Sequence, residues 1–152
     1  MVVLGGDNCA GFVTPPTDRA LFRQVAIGYG PVLALKQEGT VVGWGNNANG
    51  QINLPSFLTD HSTAFIKQVA TGYRTSFALN GNETNGNLVM WGVRNGPPPS
   101  HQGRINMIAA GSFHALVLRF DGTVAGWGDN SFGQCNVPVR LGGGVRVARG
   151  SV

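Results

Sequence analysis

"IAAGSFHALVLRFDGTVAGWGDNSFGQCNVP", residues Ile108 to Pro138, decides the fold, because the chain writes it three times. An earlier copy, "VAIGYGPVLALKQEGTVVGWGNNANGQINLP", runs from Val25 to Pro55. A degraded one, "VATGYRTSFALNGNETNGNLVMWGVRNGPPP", runs from Val69 to Pro99. The glycines that close V-A-x-G are Gly28, Gly72, Gly111 and Gly150, successively 44, 39 and 39 residues apart. Repetition at about 40 residues marks an array of modules, each burying its apolar face against its neighbours.

Half copies flank the three full ones. "VVLGGDNCAGFVTPP", Val2 to Pro16, aligns without a gap on "VVGWGNNANGQINLP", with Gly5 in place of the tryptophan. Val147 to Val152 repeats the opening of the unit. The expected organisation is one repeat domain over residues 1–152: a half repeat at 1–16, repeats at about 25–55, 69–99 and 108–138, and a terminal half repeat at 147–152.

Inside each unit the apolar residues alternate with period two, the mark of a half-buried strand. Val32 to Leu35 and Val41 to Trp44 are two such runs, joined through Glu38-Gly39. Ala115 to Leu118 and Val124 to Trp127 repeat the pair around Asp121-Gly122, a strong hairpin signal. No window keeps a helical period. Residues 57–68 are the least clear and could hold a short helical turn. The class is all-β.

Trp44, Trp91 and Trp127 recur at one register, which suits packing between neighbouring sheets. Gly45, Gly92 and Gly128 follow them where a strand ends and the chain must turn. "GWGNNANG" lacks both the G-x-G-x-x-G spacing and a G-K-[ST] ending, so it does not read as a phosphate loop.

The repeat V-A-x-G-x-x-H-x-L-x-L, then D-G-T-V-x-x-W-G-x-N-x-x-G-Q and a proline, resembles that of the regulator-of-chromosome-condensation family over nearly the whole chain. The short unit and the N-V-P ending look like bacterial members, among them the propeller β-lactamase inhibitor proteins. The resemblance implies a β-propeller of four-stranded blades, usually seven, used as a platform for binding proteins. Seven blades of about 40 residues need about 280 residues, and this chain has 152. The favoured reading is a piece of a longer propeller. Self-association that completes a ring comes next, and closure of a small ring by one chain comes third.

Order along the hairpins selects a face. The loop after V-A-x-G and the asparagine-rich loop after W-G are separated by two antiparallel strands, so both belong to one end of the unit. That end carries Tyr29, Tyr73, Arg74, Phe113 and Phe132. Tyr, Trp and Arg dominate interface hot spots. In the similar inhibitor proteins, aromatics of these two loop types form the contact face. The five residues are therefore the expected partner-binding positions, with aromatics folded inward over the blade tops as the competing structural reading.

Other chemistry is not signalled. His114 has Pro31 and Thr75 as counterparts, which fits a structural position. The acids recur at equivalent turns, and no nucleophile motif appears, so no catalytic residue is assigned and no enzyme activity is expected. Cys9 and Cys135 lack metal-ligand spacing; neither metal nor cofactor is expected, and a disulfide between them stays open. The net charge of +4 gathers partly at Arg140, Arg146 and Arg149, without an aromatic-interleaved basic groove, so nucleic acid is not an expected partner. No apolar run is long enough to span a membrane and no signal peptide opens the chain, which leaves the cytoplasm as the default compartment. The leading expectation is a non-enzymatic protein-binding scaffold. The alternative is a chromatin-associated or small-GTPase regulatory module, the eukaryotic role in the family. The ultraviolet-sensing plant relatives carry G-W-R-H-T where this chain has "GWGNN" and "GWGDN", so that role is not expected.

Overall fold

The computed structural model describes residues 20–60, 65–82, 85–93 and 104–138. The half repeats at 1–16 and 147–152, Cys9, and the arginines at 140, 146 and 149 lie outside them. Each copy of the phrase becomes one antiparallel sheet. Strands β1 (Phe22–Ile27), β2 (Pro31–Lys36) and β3 (Val41–Gly45) form the first. Strands β4 (Ile66–Thr71), β5 (Thr75–Asn82) and β6 (Asn85–Gly92) form the second. Strands β7 (Ile105–Ala110), β8 (His114–Arg119) and β9 (Val124–Gly128) form the third. Strand order follows chain order in all three, as in the blades of a propeller.

Among the described residues each blade shows three strands where the resemblance implies four. Residues 51–54 run on beside β3 without strand geometry, and Ile52 packs over Gly43. Cys135 packs over Gly126 in the same way. A 3-10 turn, Ser56–Leu58, overlaps the start of residues 57–68, where the sequence allows a short helical turn, and it buries Leu58 completely. In the middle copy β5 and β6 are longer than their counterparts, and the ladder continues to Asn82 opposite Asn85.

Strand β2 corrects the expectation of half-buried strands: Pro31 to Leu35 are buried on both faces. Stacking of sheet on sheet covers the face that carries Leu33 and Leu35. Ala26, Leu33, Leu35, Val41, Leu58, Ile66, Val69, Ala78 and Trp91 form one core between the first and second sheets. Ala70, Phe77, Leu79, Leu88, Ile105, Ile108, Ala115, Val117 and Trp127 form the next. Neighbours such as Val69 and Ala70 point to opposite faces, so the middle sheet feeds both cores.

The sheets are also joined by polar side chains. In β1, β4 and β7 the register shifts at one equivalent place, between Phe22 and Gln24, Ile66 and Gln68, and Ile105 and Met107. Such bulges re-aim side chains. The Gln24 amide donates to the Val69 carbonyl at 2.9 Å and accepts from the Val69 N–H at 2.9 Å. The Gln68 amide donates to the Ile108 carbonyl at 2.7 Å and accepts from the Ile108 N–H at 2.9 Å. Each carboxamide imitates a strand segment and satisfies both backbone groups of one residue in the next sheet. The equivalent residue in the third sheet is Met107, which has no amide to offer.

The inner ends of the blades approach through glycine. A Cβ on Gly28 would lie 2.1 Å from the Gly72 carbonyl oxygen, and one on Gly72 would lie 2.4 Å from that of Gly111. Any side chain there would push successive blades apart.

Candidate functional site

The register fixes which loops share an end. Pro31 pairs with Gly45, Thr75 with Gly92, and His114 with Gly128. The loop after V-A-x-G therefore meets the start of the loop after W-G in every blade. The Asn46 N–H donates to the Gly30 carbonyl at 3.1 Å, and the Asp129 N–H donates to the Phe113 carbonyl at 2.9 Å. The turns Glu38-Gly39 and Asp121-Gly122 lie at the opposite ends of the hairpins.

The first loops bring three aromatic rings into a row. Tyr29 and Tyr73 meet edge to face, centroids 5.4 Å apart at 73°. Tyr73 and Phe113 do the same, 5.4 Å apart at 80°. The row thus crosses three consecutive blades. Tyr29 is 73% exposed and Phe113 42% exposed, and Tyr73, between them, is half-buried. The rings stand on the surface and pack on each other. The Arg74 guanidinium lies over the Tyr73 ring, 5.2 Å from its centroid. Phe132 is 94% exposed in the second loop of the third blade. The described residues show no ring contact between Phe132 and the row.

The backbone beneath the row is held from both sides. The Gln51 amide donates to the Tyr73 carbonyl at 3.1 Å from the first blade, and the Tyr73 N–H donates to the Ser112 carbonyl at 3.0 Å in the third. Val93 N–H donates to the Arg74 carbonyl at 2.9 Å. Gly92 makes that approach possible: its φ is 86°, and a Cβ there would lie 2.3 Å from the Arg74 carbonyl oxygen. Gly45 and Gly128 take the same left-handed conformation, at 96° and 101°.

The second loops are built by their own polar side chains. The Asn47 carboxamide accepts from the Ile52 N–H at 3.0 Å and donates to Asn53 at 2.8 Å. Asn130 repeats this with Cys135 and Asn136, at 2.8 and 2.9 Å. Asp129 accepts from the Ser131 hydroxyl at 2.5 Å and its N–H at 3.0 Å, and from Gln134 at 3.1 Å. The bond from the Ser131 hydroxyl leads the causes that hold its carboxyl below the ordinary value. Its charge is thus engaged within its own loop. Burial pushes the Cys135 thiol up, with the Asp129 charge adding to the effect.

The tryptophans lie below this face, at the blade interfaces. Trp91 is buried, and its indole N–H donates to the Gln51 carbonyl of the preceding blade at 2.9 Å. Trp127 is buried edge to face against Phe77 of the preceding blade, 6.0 Å between centroids. Trp44 is half-buried, and its enclosed indole N–H meets no acceptor among the described residues. His114 borders a small cavity of about 10 Å³ with Thr75, Phe77 and Trp127, room for about one water. No group of three or more potential metal ligands occurs among the described residues. No helix there is long and apolar enough to cross a membrane.

Sequence reasoning missed the paired glutamines. Their signal was the run Gln-Val-Ala at residues 24–26 and again at 68–70, one position ahead of the first landmark chosen.

The model described as Regulator of chromosome condensation (RCC1) repeat matches residues 22–51, the three strands and second loop of the first blade, and 108–134, which run from within β7 through β8, β9 and the second loop of the third. This chain is built of RCC1-type repeats. It is 29% identical over 135 residues to the Ultraviolet-B receptor UVR8 of Arabidopsis thaliana, a match covering 86% of this chain and 24% of the receptor. It is 32% identical over 136 residues to the Probable E3 ubiquitin-protein ligase HERC6 of Homo sapiens, covering 73% and 13% respectively. The chain thus spans a quarter or less of these relatives. Among solved structures, Prp20p of Saccharomyces cerevisiae superposes with a TM-score of 0.60 at 24% identity, over 82% of this chain and 34% of that one. The receptor kinase CR4 ectodomain of Physcomitrella patens gives 0.63 at 19% identity, over 82% and 32%. The RCC1-type repeats form a partial β-propeller.

Proposed function

We propose that this run of RCC1-type blades is a non-enzymatic scaffold that binds a protein partner through its loop-rich end, with Tyr29, Tyr73, Arg74, Phe113 and Phe132 as the contact residues. The observation that carries the reading is the aromatic row itself. Three rings from three blades stand in mutual contact on the surface, on loops whose backbone is pinned between neighbours. Rigid aromatic side chains on a fixed scaffold lose little conformational freedom on binding. Related structures point the same way: Prp20p, the yeast RCC1, binds Gsp1p and histones and is bound by Kap60.

The test is Tyr73→Ala with Phe113→Ala, compared with wild type in photo-crosslinking from position 132 and in circular dichroism. Loss of specific crosslinks by a folded variant supports the contact face. Unfolding of both single variants would make the rings part of the core and sink the reading.

The likeness to Prp20p also favours a second reading, a chromatin-associated or small-GTPase regulatory module. Salt-sensitive binding to purified histones, or to a small GTPase, would distinguish it.

A further inference from the structure

Resting on the reading of this end as a protein-binding face, we infer that its occupant is a peptide segment carrying a carboxylate flanked by apolar or aromatic side chains, and that Arg74 is the residue that selects it. Arg74 lies beside the middle ring of the row, exposed, with its guanidinium over Tyr73. No carboxylate pairs with it among the described residues. Asp129, an acid of the same end, is turned into its own loop by Ser131 and Gln134. Asp121 belongs to the opposite end of its hairpin. Among the described residues the row therefore carries a positive charge at its centre that no carboxylate pairs.

The arrangement has a chemical consequence. A guanidinium stacked on a ring through its face still presents its N–H edge, which matches a carboxylate in a two-point bond. Ring contact also limits the orientations open to the arginine, so less freedom is lost when the pair forms. Tyr29 and Phe113 extend to either side of Tyr73 and offer apolar contact there. The complementary ligand is an extended segment with its acid in the middle and apolar side chains on both sides.

The experiment uses a displayed library of random dodecapeptides, selected against the folded wild-type chain, Arg74→Gln, Arg74→Glu and the double variant Tyr29→Ala/Phe113→Ala. Wild type should enrich peptides with Asp or Glu next to Phe, Trp or Leu. The best such peptide should bind Arg74→Gln about ten- to a hundredfold more weakly, the range for a charge-assisted bond. Arg74→Glu should turn the selection towards Lys and Arg. Enrichment that needs the rings but shows no acidic residue overturns this inference and leaves the binding face standing. Enrichment that is indifferent to both the rings and Arg74 overturns both.

Discussion

Gln24 and Val69 are bonded twice: the glutamine amide donates to the valine carbonyl and accepts from the valine N–H, each at 2.9 Å. One side chain from the first blade thus closes the backbone of the second. Gln68 does the same for Ile108 in the third.

Gln24→Ala should lower stability by about 2 kcal/mol, because it leaves a part-buried N–H and C=O without their partners. Gln24→Glu should recover little, since a carboxylate can accept from the N–H but cannot donate to the carbonyl. Urea unfolding followed by tryptophan fluorescence checks both. The Gln24 and Gln68 interfaces are distinct, so the double variant should add within about 0.5 kcal/mol. An unchanged midpoint for either alanine variant would mean that the amide bonds contribute nothing net.

Gly28→Ala and Gly122→Ala should separate two glycine roles. Gly122 has a φ of 85° with no atom within 4 Å of an added Cβ, so its cost is conformational alone, about 1 kcal/mol. At Gly28 the added carbon would lie 2.1 Å from the backbone of the next blade. The blades must move apart, and the loss should be at least about twice as large. Thermal unfolding of the two variants side by side gives the comparison.

Trp91→Phe should cost more than Trp44→Phe. The first deletes a buried bond to the Gln51 carbonyl, worth about 1 kcal/mol besides the lost packing. The second deletes an indole N–H that has no acceptor among the described residues. Equal destabilisation in chemical denaturation would show that lost ring volume sets the cost at both positions and that the Trp91 bond adds nothing net.

Acid should weaken the chain in part through Asp121. Its carboxyl accepts the Thr123 hydroxyl at 2.7 Å and the Thr123 N–H at 2.9 Å, and these bonds, the hydroxyl first, hold it below the ordinary value. A carboxyl lowered in the folded state contributes stability that is whole above the unfolded value and is lost as pH falls through the folded one. Asp121→Asn should therefore flatten the acid limb of a stability–pH curve and leave its shape at neutral pH unchanged. The group is fully exposed, so the change should be small.

Hairpins, turns and blade order were legible because their causes are local. Asp121-Gly122 needs only a residue free to take positive φ, and the alternation from Val124 to Trp127 needs only a strand. The loop end carrying Tyr29, Tyr73 and Phe113 followed from counting strands. What stayed hidden depends on distances between blades. No spacing of 44 or 39 residues reveals that three rings meet at 5.4 Å, or that Arg74 lies over Tyr73. The double burial of β2 escaped for a related reason: small Ala34 between Leu33 and Leu35 reads as alternation, yet Val32 to Leu35 are all buried. The glutamines escaped because an amide in a strand normally signals an outward face, and here a bulge turns it to the neighbouring backbone.

Glutamine and glycine both reach forward: Gln24 and Gly28 to the second blade, Gln68 and Gly72 to the third. A module cut to include one Gln-Val-Ala-x-Gly run carries its own means of gripping whatever successor presents a free strand edge. Tandem duplication in frame would then add one joint for every copy, with no second mutation needed to fit it. The same arithmetic sets a rule for splicing such arrays by hand. A third-blade sequence spliced ahead of another copy needs Met107→Gln before it can hold that copy by the same paired amide bonds as its sisters do.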